Sequence, residues 1–412
     1  ARRAPGVVAV LGPDRPLCTP DNYPRGLPGG DARICAAAAR LQGLLRETDT
    51  VARLGGDEFV ILQPHTIAAG ASQLAQRIIE AFAQPFQLEG HHVEIGGSIG
   101  TTLICDASIP ATEVLRQADL ALYRSKADGR ACVTLFEPAM EDAYHARHRL
   151  EGSLRAALVQ GGFHMVYQPQ MDAQGQMRAA EALLRWNHSE MGEISPATFI
   201  PLAEECGLIL PIGEFVLRRV FEETRDWGNL RVAVNVSAVQ MRTPGFAARV
   251  VQLAARAGVD PARYEIEVTE TALLADAPTT MENFEILKRL GFTIALDDFG
   301  TGYSSLSLLN RFSVDRIKID RSFVADLGKS EEAEALVVAI VKLARSFRIG
   351  VIAEGVETEA QRERLIVAGC GEFQGYLLGR PMAGEAIMAL AAQAASTTPQ
   401  PATLPLPRQL IG

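Results

Sequence analysis

Short apolar runs alternate with helix-length amphipathic stretches along most of this 412-residue chain. In its first third, an apolar run at 59–62 precedes a helical pattern at 71–83, and a run at 95–104 precedes another at 112–127. Leu150, Leu154 and Leu158 then recur at helical spacing within the charged stretch 137–160. The pattern predicts a small α/β domain followed by a connecting helix.

A second rhythm occupies residues 162–391. Apolar runs there end at polar or charged residues and are followed by helical stretches such as 279–290 and 331–347. This alternation predicts a largely parallel sheet with crossover helices. A segment of about 240 residues with so many units fits an α/β fold of the (β/α)8-like, TIM-type barrel class, in which the active site forms at the carboxyl ends of the strands. The residues expected at those ends are Asn235, Glu267, Asp297, Asp298, Lys318 and Glu354.

These patterns divide the chain into four parts. We predict a smaller α/β domain at 1–137, a linker helix at 138–160, the barrel at 161–391 and a disordered Pro-rich tail at 392–412. No apolar run reaches the ~18 residues of a membrane span, and the first residue is not Met. We therefore expect a cytoplasmic chain that could be a fragment of a longer sensor or membrane-anchored protein.

Charge and cysteine content narrow the function classes. A net charge of −9 argues against a general nucleic-acid binder, which usually presents a basic face. The six cysteines lack CxxC spacing, which favours reduced thiols over a zinc site or a disulfide framework. A small anionic ligand held by metal ions or a few arginines remains compatible with this composition.

Carboxylates dominate the chemistry expected at the barrel rim, where Glu181, after the run 177–180, adds one more. Converging carboxylates repel one another, and divalent cations would remove that penalty. Oxygen ligands without Cys or His favour Mg²⁺ or Mn²⁺ over zinc. The adjacent Asp297 and Asp298 could serve two ions ~3.5–4 Å apart. Lys318 could orient an attacking water or neutralise charge on a phosphoryl transition state.

The barrel segment also resembles the EAL-domain phosphodiesterases that hydrolyse cyclic di-guanosine monophosphate (cyclic di-GMP). The motifs that carry the resemblance, in family order, are Tyr167-Gln-Pro169, Glu181-Ala-Leu-Leu-Arg-Trp186, Asn235-Val-Ser237, Glu267-Val-Thr-Glu270, Asp297-Asp-Phe-Gly-Thr-Gly-Tyr-Ser-Ser305, Lys318-Ile-Asp320, Ala353-Glu-Gly-Val-Glu357 and Gln374-Gly-Tyr-Leu-Leu-Gly-Arg-Pro381. The set covers the whole segment and is far more specific than Glu-Ala-Leu alone.

The resemblance implies a role for each matching residue. The first metal ion would be held by Glu181, Asn235, Glu267 and Asp297. Asp297 would bridge to a second ion shared with Asp298, which would also face the substrate. Strand alternation places Glu265 on the same face as Glu267, and only the family pattern favours Glu267 as the ligand.

Further roles follow from the same resemblance. Gln168 and Arg185 would bind the substrate, with Arg185 on a phosphate. Lys318 would contact the attacking water, Gln374 would help to position it, and Glu354 would support the metal–water network. Glu270 would anchor the loop 299–305. Glu357 would give further support. The complete set favours an enzyme over a non-catalytic receptor for cyclic di-GMP, and the family often forms homodimers.

The first domain resembles the GGDEF-domain diguanylate cyclases through Arg53-Leu-Gly-Gly-Asp-Glu-Phe59 and the segment 119–130. Gly55 and Gly56 would form a tight turn beside a nucleotide, with Asp57 and Glu58 at the turn to bind metal or activate a hydroxyl. Lys126 and Arg130 would contact phosphates. Arg46 and Asp49 match the family's inhibitory product site.

The upstream half of the first domain departs from the cyclase pattern. Asn22, Gly26, Gly30 and Asp31 can be aligned, but the expected Phe, Lys and His are absent. Either Asp14 replaces the metal-binding Asp of the first strand, or Gly12 occupies its place. We therefore expect a regulatory domain that could bind guanosine triphosphate (GTP). A bifunctional cyclase and phosphodiesterase is the alternative.

Overall fold

The computed structural model describes residues 6–14, 27–88, 91–106, 108–274, 278–300 and 305–396. The chain forms two compact units, Ala1–Leu150 and Glu151–Gly412, whose boundary falls within the helix Ala139–Gln160. No helix in these ranges is both long enough and apolar enough to cross a lipid bilayer.

The first unit is built on a five-stranded sheet with the order β2-β3-β1-β6-β7. All its strand pairs are antiparallel except β6 with β7. The elements up to the unit boundary are β1 (Gly6–Pro13), α1 (Leu27–Leu44), β2 (Thr50–Gly55), β3 (Glu58–Pro64), α2 (Ala68–Ala83), β4 (Phe86–Leu88), β5 (His91–Val93), β6 (Gly97–Ile104), α3 (Ala111–Ala127), β7 (Val133–Leu135) and α4 (Ala139–Gln160).

The central strand β1 is buried on both faces, which explains its continuous apolar sequence. Ala9 and Leu11 belong to the core that contains side chains of α1 and α2, whereas Val8 and Val10 pack with α3. The sheet therefore lies between helices on both faces. The predicted runs at 59–62 and 95–104 and the helices at 71–83 and 112–127 are confirmed within a few residues.

The second unit contains the predicted alternation of strands and helices. Its elements are β8 (Phe163–Asp172), β9 (Met177–His188), β10 (Gly192–Ile194), α5 (Pro196–Glu205), α6 (Ile209–Thr224), β11 (Arg231–Asn235), α7 (Ala238–Met241), α8 (Phe246–Ala257), β12 (Tyr264–Thr269), α9 (Glu270–Leu274), α10 (Pro278–Arg289), β13 (Thr293–Phe299), α11 (Ser305–Arg311), β14 (Arg316–Ile319), α12 (Arg321–Ala325), α13 (Glu331–Phe347), β15 (Gly350–Ala353), α14 (Glu359–Ala368), β16 (Glu372–Gln374) and α15 (Gly384–Ser396).

Eight strands close a barrel in the order β9-β11-β12-β13-β14-β15-β16-β8, with β8 pairing back to β9. This confirms the predicted barrel, with one change: β8 runs antiparallel to both of its neighbours. The cause is local. A tight turn at Gly175, whose N–H donates to Asp172 O at 3.0 Å, joins β8 directly to β9. A parallel pair would need a crossover of about a dozen residues.

Two predicted boundaries shift. Glu181 lies inside β9 and not at the end of a short strand, because the strand continues to His188. Helix α15 continues to Ser396, past the predicted barrel end at 391, so the first residues of the expected tail are helical. Residues 397–412 lie outside the described part of the chain.

Candidate active site

Polar side chains gather at one rim of the barrel because neighbouring parallel strands end there together. Asn235 is the last residue of β11 and pairs in register with Glu267 of β12. Lys318 lies in β14, and Glu354 follows β15 directly. Glu181 points to the same region from β9, as its contacts below show. The structure thus brings together the rim residues identified from the sequence.

Lys318 is the centre of this cluster. Its Nζ lies 2.7 Å from Glu267 Oε2, 2.6 Å from Glu354 Oε1 and 3.4 Å from Asp297 Oδ1, and Glu181 Oε1 is 3.8 Å away. The lysine is fully buried, and Glu267 is only 1% exposed. One cation therefore faces four carboxyl groups in a region without bulk water, where charge interactions are strong.

Burial and crowded charge shift the pKa values within this cluster. Burial and then the proximity of Glu181 raise the pKa of Glu267 well above its usual value, and burial raises the pKa of Glu354 to about 8. Burial opposes the charge on Lys318, but the surrounding carboxylates outweigh it and raise the lysine pKa. For Glu181, burial is outweighed by Lys318 and by the Gln374 amide, so its pKa is lowered. The crowding thus favours the protonated forms of Glu267 and Glu354.

Both oxygens of Glu181 are held by side-chain amides. Asn235 Nδ2 donates to Oε1 at 2.5 Å, and Gln374 Nε2 donates to Oε2 at 2.5 Å. With its amino group turned to Glu181, the carbonyl oxygen of Asn235 remains available for another partner. Amide donors can hold a carboxylate in one orientation without neutralising it.

The adjacent Asp297 and Asp298 lie on an irregular part of β13. The pairing with β14 passes from Leu296 opposite Ile317 to Phe299 opposite Ile319, which inserts one extra residue on β13. Asp298 has a positive φ of 53°, and its N–H donates to Asp297 Oδ1 at 3.0 Å. The bulge places two successive aspartates at the rim, and burial followed by Asp297 raises the pKa of Asp298.

The rim fits divalent metal ions by its donor chemistry. Its ligands would be carboxylate and carbonyl oxygens, the donors that Mg²⁺ and Mn²⁺ prefer. Glu267 Oε1 is buried and has no hydrogen-bond partner in the described part of the chain, so it is an oxygen in need of a cation or donor. No three acidic, His or Cys side chains of the described residues already form a metal cage. Lys318 lies among the carboxylates instead.

Glu265 and Glu267 both point into the barrel, as alternation predicts, but they have different partners. Glu265 is fully buried, accepts from Arg316 Nη1 at 2.6 Å and lies 3.7 Å from Arg231 Nε. These arginines come from the first positions of β11 and β14, at the opposite end of those strands from the rim. Position along β12 therefore gives only Glu267 access to Lys318.

The two substrate-binding candidates lie beside the acidic cluster. Gln168 is 8% exposed and donates from Nε2 to Gly379 O at 3.0 Å. Arg185 donates to Leu184 O at 2.9 Å and lies 3.4 Å from Glu193 Oε1. Arg185 lines a cleft of about 450 Å³, whose other lining residues include Asn235, Glu267, Leu183, Pro196 and Ile200. A charged edge and an apolar wall thus share one cleft.

Other predicted residues are less involved. Glu270 is buried at the start of α9, but residues 301–304 of the loop it was expected to anchor lie outside the described residues. Glu357 is exposed beside the cap of α14, which does not support a role in the cluster. One residue was missed: Gln170, fully buried on β8, donates to Gln374 Oε1 at 2.9 Å. Its alternation with Gln168 was the available signal.

In the first unit, Gly55–Glu58 form the turn of the hairpin between β2 and β3. Gly56 has a φ of 53°, and its carbonyl accepts from Arg53 Nε at 2.8 Å. Arg46 is exposed, and its backbone N–H donates to Asp49 Oδ2 at 3.0 Å in a separate turn. The described parts of this unit exclude Asn22 and Gly26, so their alignment stays a prediction.

The pairing of β1 bears on the alternative between Gly12 and Asp14. Leu11 is opposite Phe59, so the next residue, Gly12, lies beside Glu58 of the turn. Asp14 lies farther along the chain, where its carboxylate accepts from Ser98 Oγ and from the Ala131 N–H. Gly12 therefore lies beside the turn, and as a glycine it contributes no carboxylate there.

Basic residues lie near the same place. A Cβ added at Gly12 would be 2.8 Å from Lys126 Nζ, so the ammonium group occupies the space that a side chain would take. Arg130 is exposed in the turn after α3, with a φ of 65°. The first unit thus has the glycine turn of the family. Beside it, the ammonium group of Lys126 fills the space at Gly12, one of the two candidate positions for the metal ligand of the cyclase pattern.

Comparison with known proteins agrees with this two-part description. Residues 151–381 match the model of the EAL domain, and residues 22–132 match that of the diguanylate cyclase GGDEF domain. The bifunctional diguanylate cyclase/cyclic di-GMP phosphodiesterase MucR of Pseudomonas aeruginosa is 40% identical over 366 residues, covering 87% of this chain and 53% of MucR. The cyclic di-GMP phosphodiesterase PdeR of Escherichia coli is 35% identical, covering 86% of this chain and 54% of PdeR.

A solved structure extends the comparison to three dimensions. The PaMucR phosphodiesterase in complex with c-di-GMP has 42% sequence identity and a TM-score of 0.56, covering 58% of this chain and 99% of that one. The chain spans about half the length of the curated relatives it matches. The similarity therefore concerns a tandem pair of domains within longer proteins.

Proposed function

Because the chain belongs to the EAL domain family, we propose that its barrel hydrolyses cyclic di-GMP to the linear dinucleotide pGpG. The observation that carries the proposal is the buried cluster of four carboxyl groups around Lys318. Relatives named as cyclic di-GMP phosphodiesterases support the choice of substrate. A receptor without catalysis would not need this costly set of buried charges.

The cleft beside the cluster suits a cyclic dinucleotide. Arg185 carries the positive charge that would contact a phosphate, and Gln168 would bind the substrate beside it. Leu183, Pro196 and Ile200 give the same cleft an apolar wall against which a purine base could pack. The phosphodiester group would then lie over the acidic rim.

We propose that two Mg²⁺ or Mn²⁺ ions complete the site. Glu181, Asn235, Glu267 and Asp297 would hold the first, and Asp297 and Asp298 would hold the second. Such ions neutralise phosphate charge and lower the pKa of an attacking water. The amides that orient Glu181 would keep its lone pairs directed to the first ion.

The chain's own groups would then act on the water and the phosphate. Lys318 would orient the water and neutralise charge that develops on the phosphoryl oxygens. Glu354 would support the metal–water network, and Gln374 would help to position the water. The water oxygen forms a bond to phosphorus while the bond from phosphorus to a ribose 3′ oxygen breaks. The water loses one proton, the 3′ oxygen gains one, and the product has a 5′ phosphate.

One assay tests this function against its alternatives. The protein is incubated with magnesium and either cyclic di-GMP or GTP, and the products are separated by chromatography. Formation of pGpG from cyclic di-GMP supports the proposal, and binding without turnover would replace it with a receptor function. Formation of cyclic di-GMP from GTP would show the bifunctional alternative.

For the first unit, we propose GTP binding that regulates the barrel. The glycine turn with Asp57 and Glu58, together with Lys126 and Arg130, retains groups that suit a triphosphate. Gly12 beside Glu58 argues against fast cyclase chemistry, because a glycine offers no side-chain ligand to a metal ion. Because MucR is named as a bifunctional enzyme, diguanylate cyclase activity in the first unit is the competing hypothesis. We further propose a homodimer in the cytoplasm, with 138–160 as the connecting segment.

A further inference from the structure

Three buried glutamines lie side by side on the inner wall of the barrel, next to Glu181. Strand β8 lies between β16 and β9, with Gln170 opposite Gln374 and Gln168 opposite Glu181. Residues two apart on a strand point to the same face, so Gln168 and Gln170 both face the barrel interior. The pairing register therefore connects Gln170 to the acidic rim.

The hydrogen bonds between these residues run in one direction. Gln170 Nε2 donates to Gln374 Oε1 at 2.9 Å. Gln374 Nε2 in turn donates to Glu181 Oε2 at 2.5 Å and to Gln168 Oε1 at 3.1 Å. Gln170 is thus connected to the proposed metal ligand Glu181 through Gln374, which belongs to the proposed catalytic set.

This direction is dictated by the chemistry of the groups. A carboxylate only accepts hydrogen bonds, so Gln374 must turn its amino group toward Glu181. Its carbonyl then faces β8, where it needs a donor because the site is buried. Gln170 supplies that donor. An acceptor or an apolar side chain at this position would leave the carbonyl unsatisfied and weaken the preference for this orientation.

Gln170 also carries a cost that space filling alone does not explain. Its Oε1 is buried and has no hydrogen-bond partner within the described residues. Burying an unpaired polar atom is unfavourable, and an apolar side chain of similar size would avoid this cost. The bond to Gln374 is the contact that distinguishes glutamine from such a side chain.

We propose that Gln170 is a positioning residue that fixes the Gln374 carboxamide and, through it, the Glu181 carboxylate. The inference rests on the hydrolytic function proposed above. Without Gln170, the Gln374 carboxamide keeps its bonds to Glu181 and Gln168 but loses the donor that holds its carbonyl, so the positions of the carboxamide and of the Glu181 carboxylate become less fixed. Residues that orient metal ligands in this way typically change metal affinity or activity about 10- to 100-fold when they are removed.

The test is Gln170→Met, which keeps the length and removes the donor. We expect kcat for cyclic di-GMP hydrolysis to fall at least about tenfold, while KM is unchanged because Gln168 and Arg185 are intact. We expect calorimetry on the substrate-free protein to show about tenfold weaker Mn²⁺ binding. Gln176→Met, a partly buried glutamine of the same hairpin that does not contact Gln374, should behave as wild type.

A double-mutant cycle separates positioning from general destabilisation. If Gln170 acts through Gln374, adding Gln170→Met to Gln374→Met should cause no further loss of kcat. Additive losses, or wild-type kcat and Mn²⁺ affinity in Gln170→Met, would overturn the inference. If thermal melting shows that Gln170→Met is not folded, Gln170→Asn is used in its place. Its shorter side chain should not reach Gln374, so the expectations are the same. If the wild-type protein does not hydrolyse cyclic di-GMP, the proposed function is refuted. The Mn²⁺ affinities of wild type and Gln170→Met would still decide whether Gln170 positions a metal ligand.

Discussion

The two units place acidic residues at strand ends in different settings. In the barrel, Lys318 is enclosed by Glu181, Glu267, Asp297 and Glu354 and is fully buried. In the first unit, Asp57 and Glu58 lie on a partly exposed turn whose neighbour is Gly12. A family signature is present in both units, but within the described residues the converging charge surrounds the signature of the barrel.

A signature motif in a sequence therefore does not by itself establish a catalytic site. The convergence of buried carboxyl groups, with the pKa values of Glu267 and Glu354 raised, fits our proposal that the barrel rim binds cations and a phosphate. In the first unit, Lys126 lies in the space next to Gly12, so one cation already occupies the place of the expected ligand. We therefore expect chemistry in the barrel and binding in the first unit.

Removal of divalent ions should produce the largest effect. All proposed ligands are oxygen atoms, and Lys318 alone does not neutralise the rim, so a chelator should reduce cyclic di-GMP hydrolysis to background. Mg²⁺ or Mn²⁺ should restore it, whereas Ca²⁺, with its longer and looser coordination, should restore it poorly. Product formation is followed by chromatography. Full activity in excess chelator would contradict the assignment of the rim as a metal site.

The next largest effect should come from Asp297→Ala. The side chain is proposed to bridge both ions, so its loss should lower the hydrolysis rate at least ~100-fold. The fold should persist, because rim residues serve the site and not the core. Thermal melting checks folding, and Asp226→Ala on the exposed surface of the same unit is the matched control. A loss of less than about tenfold would argue against a bridging role.

The sequence predicts the rim more successfully than its detailed geometry. Periodicity alone predicts Asn235, Glu267, Lys318 and Glu354 at strand ends, because parallel strands of a barrel end on one side. In the structure, Glu267 and Lys318 lie one or two residues before the ends of β12 and β14. The alternation rule does not distinguish Glu265 from Glu267. That distinction depends on Arg316, which comes from a distant strand and pairs with Glu265.

Other features depend on contacts that no local pattern reveals. The bulge at Asp297 and Asp298 appears only when β13 pairs with β14, and the antiparallel direction of β8 follows from the tight turn at Gly175. The alternation of Gln170 with Gln168 could place Gln170 on the inner face, but its contact with Gln374, far away in the chain, appears only in the folded barrel. Long-range pairing, and not local propensity, decides each of these cases.

A smaller, regulatory effect should come from GTP. If GTP binds the first unit and favours one state of the barrel, the hydrolysis rate should change by a factor of about 5 to 150, which corresponds to a coupling of ~1–3 kcal/mol. Helix α4, which continues from one unit into the other along the chain, could transmit the change. Rates are measured with and without GTP in wild type and in Asp57→Ala.

The possible outcomes of this measurement have different meanings for the first unit. Absence of binding at millimolar GTP would remove the proposed regulatory role at its first step. An effect that persists unchanged in Asp57→Ala would place the nucleotide site away from the glycine turn. Conversion of GTP to cyclic di-GMP would show that the position of Gly12 does not prevent cyclase chemistry.

The smallest effect on the barrel should come from Arg46→Ala. Arg46 is exposed in the first unit, and an arginine can grip a phosphate or a guanine edge with paired hydrogen bonds that alanine cannot make. We expect the variant to lose cyclic di-GMP binding outside the barrel while the rate of hydrolysis with saturating substrate stays at the wild-type value. Calorimetry in Ca²⁺, under which hydrolysis should be slow, counts the sites in the full chain, and Arg33→Ala on α1 is the control. Unchanged binding stoichiometry in Arg46→Ala would show that Arg46 and Asp49 form an ordinary surface turn, leaving the barrel as the place where this chain binds the cyclic dinucleotide.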